Sequence, residues 1–171
     1  MRDHHEIRSV LPQRHPLLLV DRVLDVRPGR SITAVKAVAA TEPCYRDVPD
    51  GAPAASYAYP APLMLESLGQ AAALLWLAGA EAGAVDDDHV LMFAAARGYR
   101  VEAAAFPGDL LRHEVALDSV KADTVFASGE TWVGDRRLAV APVLIAVRRP
   151  RSTLGPTATP PVSTAPHLIR R

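Results

Sequence analysis

A chain of 171 residues suits one domain with a real core. Its 19 Lys and Arg balance 19 Asp and Glu, and the basic residues are dispersed apart from Arg148, Arg149, Arg151, Arg170 and Arg171. This excludes the clustered basic footprint of a nucleic-acid binder and leaves, at most, a small basic patch for an acidic protein. The single cysteine, Cys44, excludes an internal disulfide and fits a reducing cytoplasm.

The charged start, MRDHHEIRSVLPQRHP, has no apolar core of signal-peptide length. Ile7 to Leu11 suits a short helical turn ended by Pro12, with His4 and His5 in a mobile start. Leu17 to Val26 predicts a strand, Arg27 to Arg30 a turn, and Ser31 to Ala40 a second strand pairing with the first. Thr41 to Pro62 carries Pro43, Pro49, Pro53, Pro60 and Pro62, each lacking a backbone donor, so no regular structure is expected there. An ordered loop of this length is commonly functional.

Leu63 to Gly83 predicts one long helix, with Pro62 suited to its first turn. Leu65, Leu68, Ala72, Leu75, Trp76 and Gly79 recur near helical spacing, and apolar residues continue almost all round. Glu66, Gln70 and Glu81 interrupt the run, so a buried core helix is expected rather than a membrane span. After an acidic turn at Asp86 to Asp88, four strands are expected: Val90–Glu102, Leu110–Val120, Val125–Val133 and Leu138–Val147. Lys121-Ala122-Asp123 and Gly134-Asp135-Arg136 have hairpin chemistry. Two strands, a helix and four strands define an α+β class with a largely antiparallel sheet around one helix. Residues 1–149 form the expected single domain, and Pro150 onward, rich in Pro, Thr, Ser and Arg, reads as a flexible tail.

Three stretches carry a resemblance. Leu11 to Gly29, LPQRHPLLLVDRVLDVRPG, resembles the opening of FabZ-type 3-hydroxyacyl-acyl-carrier-protein dehydratases. Met64 to Gln70 resembles their helix motif Glu-x-x-x-Gln, and Phe106 to Arg112 their Pro-Gly-Asp-x-Leu turn into a strand. The three occur in family order and together span roughly residues 5 to 148. The first is highly specific; the other two alone are weak.

The resemblance implies a hot-dog fold: a curved antiparallel sheet wrapped around a central helix. It implies a dimer joined sheet edge to sheet edge, with each active site drawing residues from both chains. The implied substrate is a 3-hydroxyacyl chain on the phosphopantetheine of an acyl carrier protein, in a fatty-acid or polyketide pathway. No metal or redox cofactor is implied, and no histidine spacing suggests a metal site. Membrane and nucleic acid are not implied partners, and the location is cytoplasmic.

Such a dehydration needs a base for the C2 proton, an acid for the departing hydroxyl, and donors for the thioester oxygen. By resemblance Glu66 is the acid. A carboxyl within an apolar helix is expensive unless paired, protonated or functional; the alternative is that it faces water or caps a neighbour. Gln70, one turn on, supports the site or simply bonds a nearby loop. Family members carry their base in a Gly-His-Phe-Pro-Gly loop before the helix; here Val48 or Ala52 falls at the histidine, depending on the direction of counting. The loop holds about four extra residues, and no histidine lies between His15 and His89. Ala61 replaces the helix-start glycine and keeps its N–H, whereas Pro62 has none.

Asp47 and Asp50 are possible substitute bases, though loop aspartates more often make turns. Cys44 is expected to pack, Tyr57 and Tyr59 to pack or close a pocket, and His15 to be structural. His113 lies in a strand and is expected to face solvent or the sheet partner. The loss is one-sided, which suggests a subunit that gives Glu66 to a composite site with a His-bearing FabZ-like partner. The alternatives are a non-catalytic hot-dog protein, dimerising with itself, that binds acyl chains or carrier protein or regulates an enzyme, and a hot-dog thioesterase.

Overall fold

The computed structural model describes residues 3–79, 88–150 and 152. The predicted helix residues Ala80 to Gly83, Asp86 and Asp87 of the acidic turn, and the tail beyond 150 save Ser152 lie outside them. Helix α1 (His4–Val10) opens the chain, so His4 and His5 begin a helix rather than a mobile start. Asp3 caps it by accepting from the N–H groups of His5 and Glu6, and Glu6 answers to the N–H of Asp3. This reciprocal pair satisfies donors that a helix start otherwise leaves open.

Strands β1 (Arg22–Arg27) and β2 (Ser31–Ala37) form the first hairpin. The strand expected from Leu17 starts five residues late. Leu19 and Val20 give their N–H groups to the Gln70 side chain, and strand pairing resumes only at Asp21 N–H to Val35 O. The proline-rich segment is not wholly irregular: it contains 3-10 turns at Pro43–Tyr45 and Ala54–Tyr57.

Helix α2 (Ala61–Gly79) follows, then β3 (His89–Arg97), β4 (Arg100–Val101), β5 (Leu110–Lys121), β6 (Thr124–Val133) and β7 (Arg136–Pro150). The single strand expected over Val90–Glu102 is broken at Gly98, whose φ of 67° is glycine's region. Pro150, expected to open the tail, is the last residue of β7 and pairs with His89.

The strands form one antiparallel sheet in the order β1-β2-β5-β6-β7-β3, with β4 also on β7. Leu68, Ala71, Leu74 and Leu75 of α2 are buried against Val23, Ile32, Val115 and Leu144 of the sheet. By length and composition α2 could cross a membrane; here the sheet wraps it. Its C-terminal end nears the first hairpin so closely that a Cβ on Gly79 would lie 2.8 Å from Gly29 N. At the other end a second core gathers Val38, Tyr45, Tyr59, Met64, Leu111 and Leu138, so the pre-helix loop is packed.

Candidate active site

Glu66, Gly69, Gln70, Ala73, Trp76 and Leu77 recur at three- and four-residue steps and therefore share one face of α2. They line a cavity of about 390 Å³. The segment Ser9 to Arg14 forms one wall, and Phe93, Val125 and Leu144 of the sheet form another.

Glu66 is half-buried, and its Oε1 accepts 2.8 Å from Gln70 Nε2. Gln13 Nε2 lies at 3.5 Å, the limit of a hydrogen bond. Gln70 is buried, and its amide is fully engaged. Its Oε1 accepts from the N–H groups of Leu19 (2.9 Å) and Val20 (3.3 Å), and its Nε2 donates to Leu17 O (2.6 Å) as well as to Glu66. Gln70 therefore bonds a nearby loop and the Glu66 carboxyl group at once. The opening motif and the helix motif meet through this one side chain.

Ala61 stands at the first position of α2, five residues or about 7.5 Å before Glu66. It does not line the cavity. Leu63 and Met64 both donate to Pro60 O (3.0 and 3.1 Å), and Pro62 has no N–H. No described residue accepts from Ala61, so it keeps the one spare N–H among the first four positions of α2. Asp47 and Asp50 are exposed on the loop and also lie off the cavity, so nothing in this protomer brings them to Glu66. Cys44 packs half-buried at the second core, where burial, then the charge of Glu42, raises its pKa. Tyr57 and Tyr59 pack there too. The buried hydroxyls of Tyr45 and Tyr59 have no hydrogen-bond partner among the described residues, and burial pushes the Tyr45 phenol up to about 12.

His113 corrects an expectation. It faces inward and is fully buried, because Leu111, His113 and Val115 share the inner phase of β5. Ser67 Oγ donates to Met64 O (3.0 Å) and so accepts from His113 Nε2 at 2.9 Å, while Nδ1 takes the Thr131 hydroxyl at 3.0 Å. That arrangement needs a neutral ring; burial, aided by the charge of Lys36, lowers its pKa to about 3. The group fixes the residue next to Glu66 against the sheet. Lys36 was overlooked as well. It shares the inward phase of Ile32 and Ala34 on β2, and it forms a buried ion pair with Glu42 while donating to Ala37 O at 2.6 Å. In both cases strand alternation carried the signal. His89 does line the cavity, but at its opposite end from Glu66: it precedes Phe93, which lies on Gly69, by four strand residues, or about 13 Å.

A sheet wrapped round a helix that presents one carboxylate to an apolar slot defines a hot-dog-fold protein. Residues 11–141 match the FabA-like domain, and the chain belongs to that family, with FabZ dehydratases as its relatives. It is 39% identical to the 3-hydroxyacyl-[acyl-carrier-protein] dehydratase FabZ of Variovorax paradoxus, covering 86% of this chain and 95% of that protein. The same enzyme of Albidiferax ferrireducens is 40% identical over 86% and 95% of the two chains. Among solved structures, the dehydratase heterocomplex ApeI:P from Xenorhabdus doucetiae superposes with a TM-score of 0.67 at 16% identity, covering 86% of this chain and 93% of that one. Cj0977, a sigma28-regulated virulence protein of Campylobacter jejuni, gives 0.59 at 9% identity, covering 85% and 89%. Both support the fold.

Proposed function

We propose that this chain is a subunit of a 3-hydroxyacyl-acyl-carrier-protein dehydratase, in which its Glu66 completes a site with a His-bearing FabZ-like partner. The observation that carries the reading is the pairing of a held carboxylate with a missing base. Glu66 lines a cavity of mixed polar and apolar walls with Gln70 bonded to it, while the loop before α2 has no histidine. The separation of Ala61 from that cavity supports two chains per site: the helix start and the carboxylate of one protomer serve different places.

The geometry also offers a seat for the partner. Strand β3 lies at the end of the sheet order and pairs only with β7 among the described strands. Met92 and Phe93 on it are each 40% exposed, an apolar edge of the kind a second sheet covers. That a dehydratase heterocomplex shares the fold agrees with this assembly.

In this reading the partner's histidine takes the C2 proton of the 3-hydroxyacyl thioester. Glu66 gives its proton to the C3 hydroxyl, which leaves as water, and the C2–C3 double bond forms. Backbone N–H groups hold the thioester oxygen as charge develops on it. No metal or redox cofactor enters the reaction, the carrier protein brings the substrate, and the work is cytoplasmic.

The test is dehydration of a 3-hydroxyacyl-carrier-protein thioester, followed by mass spectrometry, with the protein alone and mixed with a His-bearing FabZ-like chain. Activity is expected only in the mixture, with Glu66→Gln lowering it about 10²- to 10⁴-fold. Activity of the protein alone would mean that another base exists. No activity in either case would favour a binding protein.

A further inference from the structure

We infer that Gln13 is the residue that recognises the substrate hydroxyl: its side-chain amide turns as substrate enters, and its oxygen accepts the hydrogen of the C3 hydroxyl beside Glu66. Two glutamines flank Glu66, and they are held very differently. The amide of Gln70 is filled in every direction, its Oε1 by Leu19 and Val20 N–H and its Nε2 by Leu17 O and Glu66. The amide of Gln13 makes one contact among the described residues, from Nε2 to Glu66 Oε1 at 3.5 Å, the limit of a hydrogen bond. Its Oε1 is shut off from solvent and has no partner among the described residues.

The backbone beneath Gln13 is fixed. Leu11 is buried and closes α1 by donating its N–H to Ile7 O. Arg14 donates to Leu11 O (2.6 Å) and to Gln13 O (2.7 Å), and Leu17 and Leu18 donate back to Arg14 O. Gln13 shares the cavity wall with Glu66. The loosely held part of this wall is therefore the carboxamide alone.

A buried amide oxygen without a donor costs stability that a methionine in its place would not. Turning the amide about its last bond exchanges oxygen for nitrogen, loses only the one long contact, and brings an acceptor to the side of Glu66. That arrangement suits a hydroxyl seated between the two side chains. An amide carries both a donor for a carboxylate and an acceptor for a hydroxyl, so it serves the site before and after substrate arrives. With Gln70 bonded to Oε1 of Glu66, the proton of the acid is left to Oε2. A hydroxyl that gives its own hydrogen to Gln13 turns a lone pair toward that proton, which it takes as it leaves as water. The proposal rests on the dehydratase reading for the identity of the hydroxyl, whereas the seat lies wholly within this chain.

The test compares two ligands that differ by the hydroxyl alone. Octanoyl and 3-hydroxyoctanoyl thioesters of N-acetylcysteamine are titrated into the full chain by isothermal titration calorimetry. The hydroxylated thioester should bind about tenfold more tightly, with Glu66 and Gln13 both on its hydroxyl. Gln13→Met keeps the side-chain length; it should cut that ratio about five- to tenfold, the worth of one hydrogen bond, and leave the plain thioester within about twofold. Gln13→Ala, with its Tm measured alongside, should do the same. Equal affinity for the two ligands in the wild type would overturn the proposal. So would a ratio unmoved by Gln13→Met, both ligands weakened alike in both variants, or no binding of either ligand. A hydroxyl preference that Gln13→Met removes, with no dehydration in the mixed assay, would support the seat and remove the dehydratase reading. Dehydration in the mixed assay with the ratio unmoved would do the reverse.

Discussion

Replacing Gln70 by Met keeps the volume of the side chain and removes its hydrogen bonding. The amide now satisfies Leu19 N–H and Val20 N–H, whose residues are 2% and 0% exposed, and also Leu17 O and Glu66. Leu17 is half exposed, so its carbonyl can turn to water, and Glu66 faces a cavity. The two buried N–H groups have no such escape. An orphaned buried donor costs about 1–3 kcal/mol, so the pair costs about 4 kcal/mol. For a chain of this size that is a fall in Tm of about 8–16 °C. Thermal and urea unfolding by circular dichroism would measure it. The substitution should also loosen the segment Leu11 to Val20, raising amide exchange there before the sheet opens. A fall of less than about 3 °C would refute the idea that Gln70 is what holds the opening motif to α2.

His113 gives a signed pH effect. Its pKa is lowered to about 3 in the fold, against 6.5 free, so the unfolded chain binds the extra proton first. Stability present above about pH 6.5 is lost as pH falls toward 3, at up to about 1.4 kcal/mol per pH unit. Urea unfolding at pH 7, 5.5 and 4.5 should show this loss in the wild type, and His113→Met should lack that share of it. The buried pair of Lys36 and Glu42 should behave non-additively. Lys36→Met alone strands a buried carboxylate and should cost about 3–5 kcal/mol, and the double variant Lys36→Met with Glu42→Leu should recover most of that in chemical unfolding.

Most of the fold could be read from the sequence because strand alternation and turn chemistry agree locally. The hairpins at Lys121–Asp123 and Gly134–Arg136 fall where expected, and the helix begins two residues before Leu63. Two of the failures have a common cause: a long-range side chain took over backbone or burial. Leu17 to Val20 has strand composition, yet Leu17 and Leu18 donate back to Arg14 O, and a glutamine fifty residues away takes the N–H groups of Leu19 and Val20. His113 looks like a surface polar residue until Ser67 and Thr131, on two other elements, supply its partners. Glu66 was legible through its motif and Gln70 through its spacing. Gln13 was not, because nothing local tells that Leu11 to Arg14 folds back over α2. The absence of a loop histidine was legible because it concerns residue types alone.

Whether Glu66 is kept for chemistry or for structure can be decided by removing its carboxyl group. Its one close partner among the described residues is Gln70 Nε2, and that nitrogen keeps Leu17 O when the carboxyl group goes. Glu66→Leu therefore loses one hydrogen bond, about 1 kcal/mol. It places a leucine, about half-buried, on the wall of a cavity that Val10 and Phe93 also line, which returns about 1 kcal/mol. The two terms cancel, and the fold should be as stable as before or slightly more so. A side chain that contributes nothing to folding, in a place where an apolar one would serve, is what a site residue looks like. The measurement is Tm of Glu66→Leu beside dehydration in the mixed assay. An unchanged Tm with dehydration abolished supports Glu66 as the acid. A fall of about 5 °C or more would make the carboxylate a structural cap and return the site to an unoccupied cavity wall.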